Sequence, residues 1–401
     1  MSGNLLIDIG STYFKVAETG KPIGHYFRDF NRNIFDDLMS KCGGTVARYG
    51  REEIRICSSA NGGLSTLIVG LSQSFSLRYA VNIAFNSGIN IIDTVLYPQI
   101  AEAAVPAETV DVVIVVGGID GRRSVFKDDL NAYLEKVRYQ NIVYVGNADD
   151  GDRLQNTVPA LVRLGNIIDG RLQMREEELK QYLTDLYQAD IMGKEEIKHF
   201  YEITANQIYS TPYAVNRALP HLAGKLDVAD PFILIDIGGA TTDIHYSRDL
   251  VRDNIVTESG YDRMVFKKLG VYKSRESLVF AARNNEYVFE LLHVLNVTEN
   301  ILEEHSEKAT RILMQLAIFL VLFKMSRHHS AYIELELEKL NAVVFTGGIT
   351  KLLSREEIEG IVHYFYKKIL HFHKAPEVVI DTGYEIWTHG LLAIAEPKRD
   401  S

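Results

Sequence analysis

The chain is 401 residues long, 46% apolar and 24% charged, with a net charge of −10. That length favours two domains over one core, and the acidic balance argues against a nucleic-acid surface, which needs clustered Lys and Arg. The two cysteines, Cys42 and Cys57, rule out a disulfide framework or a cysteine-rich zinc site and fit a reducing cytoplasm.

Met1–Asn4 is polar and does not read as a signal peptide. The first apolar run, Leu5–Ile9, carries Asp8 near its end and leads into Gly10, Ser11 and Thr12. A return strand follows at Phe14–Glu18, and Lys15 at its start would set a point charge beside bound phosphates. Ile54–Cys57 and Leu67–Leu71 read as strands around an Asn61-Gly62-Gly63 turn, Ser72–Gly88 as a helix and Ile89–Leu96 as a strand. Strand Val110–Val116, helix-like Ser124–Arg138 and strand Ile142–Val145 have the spacing of a small parallel α/β subdomain. Gly117–Gly121 lacks the G-x-G-x-x-G pattern of a dinucleotide site.

Met174–Gln207 has a charged helical pattern. Thr211 as cap and Pro212 at the first helical position start a helix over Tyr213–Ala223, and the main domain boundary falls at the linker after it. Next comes Phe232–Tyr246, FILIDIGGATTDIHY, around which the rest is organised. An apolar run ends in Asp236, then Gly238, Gly239, Ala240 and Thr241 turn the chain into a second strand. Such a glycine turn aims several N–H groups at one spot, which suits an anion, and a carboxylate at a strand end can hold hydrated magnesium through water. One such string is weak; two, at Asp8 and Asp236, imply two like domains facing one ligand.

Asn254–Glu258 reads as a strand and Asp262–Leu269 as a helix bearing surface lysines Lys267 and Lys268. Ser274–Asn284, Tyr287–Leu295 and Glu303–Arg327 are helical. The apolar core of the last, Ile312–Phe323, is too short for a bilayer, so a buried helix and no membrane role are expected. His328 and His329 read as a helix end rather than a metal pair. Strand Asn341–Phe345 runs into Gly347 and Gly348 with a helix soon after (Arg355–His371), a seat where an adenine and ribose can lie on bare backbone. Strand Val378–Asp381 and helix Tyr384–Ala395 close the chain, and Gly390 would let that helix pack tightly on a neighbour.

The strings around Asp8, Asp236 and Thr346-Gly347-Gly348 resemble those of the actin, heat-shock chaperone and sugar-kinase superfamily. GSTYFKV, SSANGGL, VVGGIDG, VGN, TPYAV and IDIGGATTDIH occur in the order seen in MutL-type proteins associated with glutamate mutase. Arg122 stands where that family carries a further glycine, Thr257–Arg263 matches loosely, and the chain is short for the family. The resemblance implies an α/β fold of two ribonuclease-H-like domains around a nucleotide cleft, with a small inserted α/β subdomain. Residues 1–225 would form the N-terminal domain, with the insertion near 100–200. Residues 226–401 would form the C-terminal domain, its last helix packing back.

The implied function is an ATPase that assists or reactivates a coenzyme-B12-dependent mutase, binding the mutase or its subunits. Asp8 and Asp236 are expected to hold Mg2+. Gly10, Ser11, Thr12, Gly238, Gly239, Ala240 and Thr241 would receive the phosphates of ATP, Lys15 their charge, and Gly347 and Gly348 the adenosine. A small-molecule kinase, or a nucleotide-binding scaffold or filament subunit with little turnover, are the alternatives, and the oligomeric state, a dimer included, is left open.

Overall fold

The computed structural model describes residues 3–395 except 11, 60–63, 88, 159, 172, 194, 226–227, 240, 252–259, 267–268, 273 and 327–334. The strands in chain order are β1 (Leu5–Ile9), β2 (Tyr13–Glu18), β3 (Gly24–Phe27), β4 (Ile54–Ser58), β5 (Leu64–Gly70), β6 (Ile89–Leu96), β7 (Val110–Val116), β8 (Tyr139–Tyr144), β9 (Leu161–Arg163), β10 (Tyr209–Ser210), β11 (Phe232–Ile237), β12 (Thr242–Ser247), β13 (Tyr261–Phe266), β14 (Ala342–Gly347) and β15 (Glu377–Ile380). They form three sheets of five.

Two sheets repeat one plan. The first runs β3-β2-β1-β4-β10 and the second β13-β12-β11-β14-β15. In each, the first three strands are antiparallel and the last two run parallel to the central one. This doubled order is the ribonuclease-H-like arrangement of an actin-like ATPase fold. The central strands, β1 and β11, are apolar almost throughout because helices cover both faces. The third sheet, β6-β5-β7-β8-β9, is parallel throughout, lies between β4 and β10 in the chain, and has the flavodoxin-like doubly wound order.

One buried apolar cluster belongs to both repeated sheets, joining Leu6 and Cys57 to Phe232, Leu234, Val344 and Trp387. Helices Thr211–Lys225 and Ile386–Ala395 cross in it. A Cβ on Gly390 would lie 1.7 Å from the Ala214 carbonyl oxygen, so only glycine permits this crossing. Helix Glu307–Ser326 is long and apolar enough to cross a membrane by length and composition, contrary to the length expected of it. Its residues 312–322 are all buried in the second lobe, which accounts for apolarity on every face.

Local pattern misleads at several points. Asp262–Leu269, expected to be helical, begins instead within β13, whose register against β12 runs from Thr242–Phe266 to Ser247–Tyr261. Non-local pairing overrides its short-range helical spacing. The stretch Met174–Gln207 is helical only in part: the described helical residues are Glu177–Gly193 and Glu195–Lys198, a tight turn follows at His199–Glu202, and Met174 instead bridges Ile168. The cap of the 211–225 helix is Ser210, whose Oγ accepts the Tyr213 N–H at 3.2 Å, because the Thr211 hydroxyl is turned to Asp8. The Asn61-Gly62-Gly63 turn, strand 254–258, Lys267, Lys268, His328 and His329 lie outside the described residues.

Candidate functional site

The two glycine hairpins are built alike. Asp8 pairs with Lys15 and Ile9 with Phe14, and the Gly10 N–H closes the turn on the Tyr13 carbonyl at 2.9 Å. Asp236 pairs with Asp243 and Ile237 with Thr242, and the Gly238 N–H closes on the Thr241 carbonyl at 2.9 Å. The register therefore makes Asp8 equivalent to Asp236 and Lys15 equivalent to Asp243. Ser11 and Ala240, at the tips, lie outside the described residues. The carbonyls beside the tips are taken up from outside: Thr12 accepts the Arg28 N–H at 2.9 Å, Gly238 that of Val271 at 3.2 Å, and Gly239 that of Tyr272 at 2.9 Å.

Asp8 is fully buried and saturated by donors. Lys15 Nζ lies 2.5 Å from its Oδ2, and the Thr211 hydroxyl donates to its Oδ1 at 2.6 Å. Lys15 also donates to the Tyr384 hydroxyl at 2.8 Å and sits 4.0 Å from the centre of that ring. Burial pulls the Lys15 pKa down, but Asp8, Tyr384 and Asp236 outweigh it and hold the ammonium charged.

Asp236 is half-buried and has no such lysine opposite it. Burial raises its pKa to about 7; Lys15 opposes the rise, and the carboxylates of Asp243, Asp8 and Asp381 add to it. Lys15 reaches Tyr384 of the second half at 2.8 Å, and β1 and β11 share one apolar cluster through Leu6, Phe232 and Leu234, which sets the two hairpins near one another. Asp243 is neutralised by Arg263 from β13, whose Nε donates to it at 2.9 Å. Gly347 joins them through β14: it pairs with Ile237, has φ +92°, and a Cβ there would lie 2.4 Å from Asp236 Oδ1. Gly348 borders open space. Thr346 beside them donates to Asp381 at 2.9 Å.

Reasoning from sequence missed several neighbours: Tyr384, Asp381, Thr211 as partner of Asp8, Arg263, His25 and Lys351. His25 lies opposite Lys15 on β3, and burial, Lys351 and Lys15 push its pKa down to about 4, so it is neutral at neutral pH. Asp243 alone had a legible signal, the seven-residue interval from Asp236 that matches Asp8 to Lys15. A separate cavity of about 540 Å³ lies at the inserted segment, lined by Asp120, Asn166, Asp169 and Glu176–Glu178. Its carboxylates serve local needs: Asp169 accepts the N–H groups of Arg171 and Gln173, and Glu178 that of Gly165.

A family profile described as MutL protein matches residues 4–400. The chain belongs to this MutL family. Protein MutL of Clostridium tetanomorphum is 24% identical over 273 residues, 62% of this chain and 58% of its own length. The matched part of this MutL-family chain thus covers less than two thirds of that relative. Among solved structures, a ROK family glucokinase from Streptomyces griseus, in complex with glucose and AMPPNP, is 11% identical with a TM-score of 0.38, covering 98% of this chain and 99% of the other. The activator of the 2-hydroxyisocaproyl-CoA dehydratase from Clostridium difficile, with bound ADPNP, is 11% identical with a TM-score of 0.30, covering 98% and 94%. The fold of this MutL-family chain rests on its doubled strand order, not on these overlaps.

Proposed function

We propose that this MutL-family chain binds ATP with Mg2+ between its lobes, 1–225 and 226–401, hydrolyses it slowly, and uses the resulting movement to assist or reactivate a coenzyme-B12-dependent mutase. The observation that carries the reading is the convergence of Asp8, Lys15, Asp236 and Gly347 from two equivalent hairpins and a third glycine turn. In this reading Gly10–Thr12 and Gly238–Thr241 give N–H and hydroxyl donors to the β- and γ-phosphates. Lys15 balances their charge, and Gly347 and Gly348 seat the adenosine.

Asp236 fits a hydrated magnesium ion, and Asp8 would face one by exchanging its bond to Lys15. Asp236 is crowded by other carboxylates, a repulsion that a divalent cation relieves. Among the described residues no three His, Cys, Asp or Glu side chains form a preformed cation cage, and magnesium needs none when water and phosphate fill most of its octahedron. Asp8 and Asp236 would hold it, mostly through water, and the bound ion would neutralise charge on the β- and γ-oxygens. The mutase as partner is supported by family membership and by the motif order around it.

Asp8→Ala and Asp236→Ala should each abolish magnesium-dependent ATP hydrolysis, measured as phosphate release, in folded protein. Retained turnover in either variant would remove the proposed site. A pull-down with ATP present should recover a cobalamin-dependent mutase. Consumption of ATP stimulated instead by a metabolite that becomes phosphorylated would replace this reading with a kinase.

A further inference from the structure

The Asp8–Lys15 pair holds the start of one crossing helix and the segment leading into the other. The Thr211 hydroxyl, at the start of the 211–225 helix, donates to Asp8 at 2.6 Å. Tyr384, two residues before the 386–395 helix, accepts from Lys15 at 2.8 Å. Tyr384 is nearly buried and adopts φ +58°, a backbone region that a bulky residue occupies only when its surroundings impose it. The surroundings are visible: its N–H donates to the Asp381 carbonyl at 3.1 Å, and the Asp381 carboxylate accepts the N–H groups of Glu385 at 3.0 Å and Ile386 at 3.2 Å. The same carboxylate takes the Thr346 hydroxyl at 2.9 Å. A continuous polar chain therefore runs from the first hairpin, through Lys15 and Tyr384, to the head of the second helix and the glycine turn of β14.

We infer that the Tyr384 hydroxyl is an inter-lobe latch on Lys15, which nucleotide binding releases. This rests on the ATP reading above. Lys15 is only 12% exposed, with its ammonium shared between Asp8 and the phenol. The Lys15–phenol bond is charge-assisted on one side only, whereas a phosphate oxygen carries a full opposite charge, so in a site shielded from water the phosphate draws the ammonium more strongly. Once Asp8 turns to a metal and Lys15 to the phosphates, Tyr384 loses its partner across the lobes. The 386–395 helix is then free to pivot on the Gly390–Ala214 contact. Tyr384 is thus a positioning residue that acts through Lys15, and the latch opposes binding, because a contact that must break is a cost charged to the ligand.

The test uses the full chain carrying Lys21→Cys and Lys367→Cys, exposed sites on the two lobes, for spin-label distance measurements; both native cysteines are buried. Tyr384→Phe keeps the ring and removes the hydroxyl. Without nucleotide it should shift the inter-lobe distance toward that of wild type loaded with AMPPNP and Mg2+. It should also bind AMPPNP about tenfold more tightly by calorimetry, equivalent to about 1.4 kcal/mol. A merely structural role predicts weaker binding, and either weaker binding or an unchanged distance and affinity overturns the latch. If Tyr384→Phe does not fold, Lys15→Met breaks the same contact from the other side. A shifted distance without nucleotide then supports the latch, and a wild-type distance overturns it. Failure of wild type to bind AMPPNP would instead sink the ATP reading, a separate outcome.

Discussion

Asp8 and Asp236 occupy equivalent positions in opposite electrostatic surroundings. Asp8 faces Lys15 across its hairpin, whereas Asp236 faces Asp243. Burial and neighbouring carboxylates, only partly offset by Lys15, raise the Asp236 pKa from 3.8 to about 7. A folded-state pKa above the unfolded one means that the folded protein holds the proton more tightly. This group's stabilising contribution is therefore full below pH 3.8 and is lost as pH rises through about 7. Asp236→Asn should remove that part of the pH dependence and melt above wild type at pH 8, as thermal denaturation from pH 4 to 8 would show. Over the same window the proposed site predicts tighter binding of Mg2+–ATP as pH rises, because only the ionised Asp236 carboxylate would hold the metal. A flat affinity profile by calorimetry would contradict that role for Asp236.

At the scale of elements, β1–β2 and β11–β12 are one hairpin design used twice, and their turn glycines do a different job from the glycine that ends β14. Gly10 and Gly238 close the turns, each with its N–H on the carbonyl three residues on. Gly347 instead makes room for Asp236. Gly347→Ala would need a side chain at φ +92° and would push a Cβ into the Asp236 carboxylate. The strain should cost about 1–3 kcal/mol of stability, read as a lower denaturant midpoint. ATP binding should fall further than that loss explains, because the displaced group is the carboxylate itself. Unchanged affinity in the folded variant would detach Gly347 from the nucleotide. β13 matters here as well, since it brings Arg263 to Asp243. A helix over that stretch, as its local spacing suggests, would not supply the register that sets Arg263 beside β12.

At the scale of the whole molecule, the lobes are held by the crossing helices and by the inserted segment. Glu176, ahead of the 177–193 helix, lies 3.5 Å from Arg248 of the second lobe, with both side chains only 6% exposed. The tightest inter-helix point is Gly390 against the Ala214 backbone. Gly390→Ala should therefore cost about 3 kcal/mol or more, at or above the usual range for overpacking, because a carbonyl cannot move as a side chain can. Adding Ala214→Gly should not restore the melting temperature, since the clash is with main chain. Rescue by that second change would show the contact to be side-chain packing after all.

Taken alone, the amino-acid order determined the two aspartate–glycine hairpins, the third glycine turn and the all-round apolar helix of the second lobe. These are local: an apolar run, a carboxylate and a turn lie within about a dozen residues, and no distant partner is needed to read them. Only the tertiary structure decided that Tyr384 would meet Lys15 across 369 positions, that Thr211 would serve Asp8 rather than cap its helix, and that 261–266 would be a strand. Each depends on which surface the folded chain presents to a group far away in sequence. A buried charge takes its partners from whatever lies within hydrogen-bonding reach, and neither composition nor spacing encodes that distance.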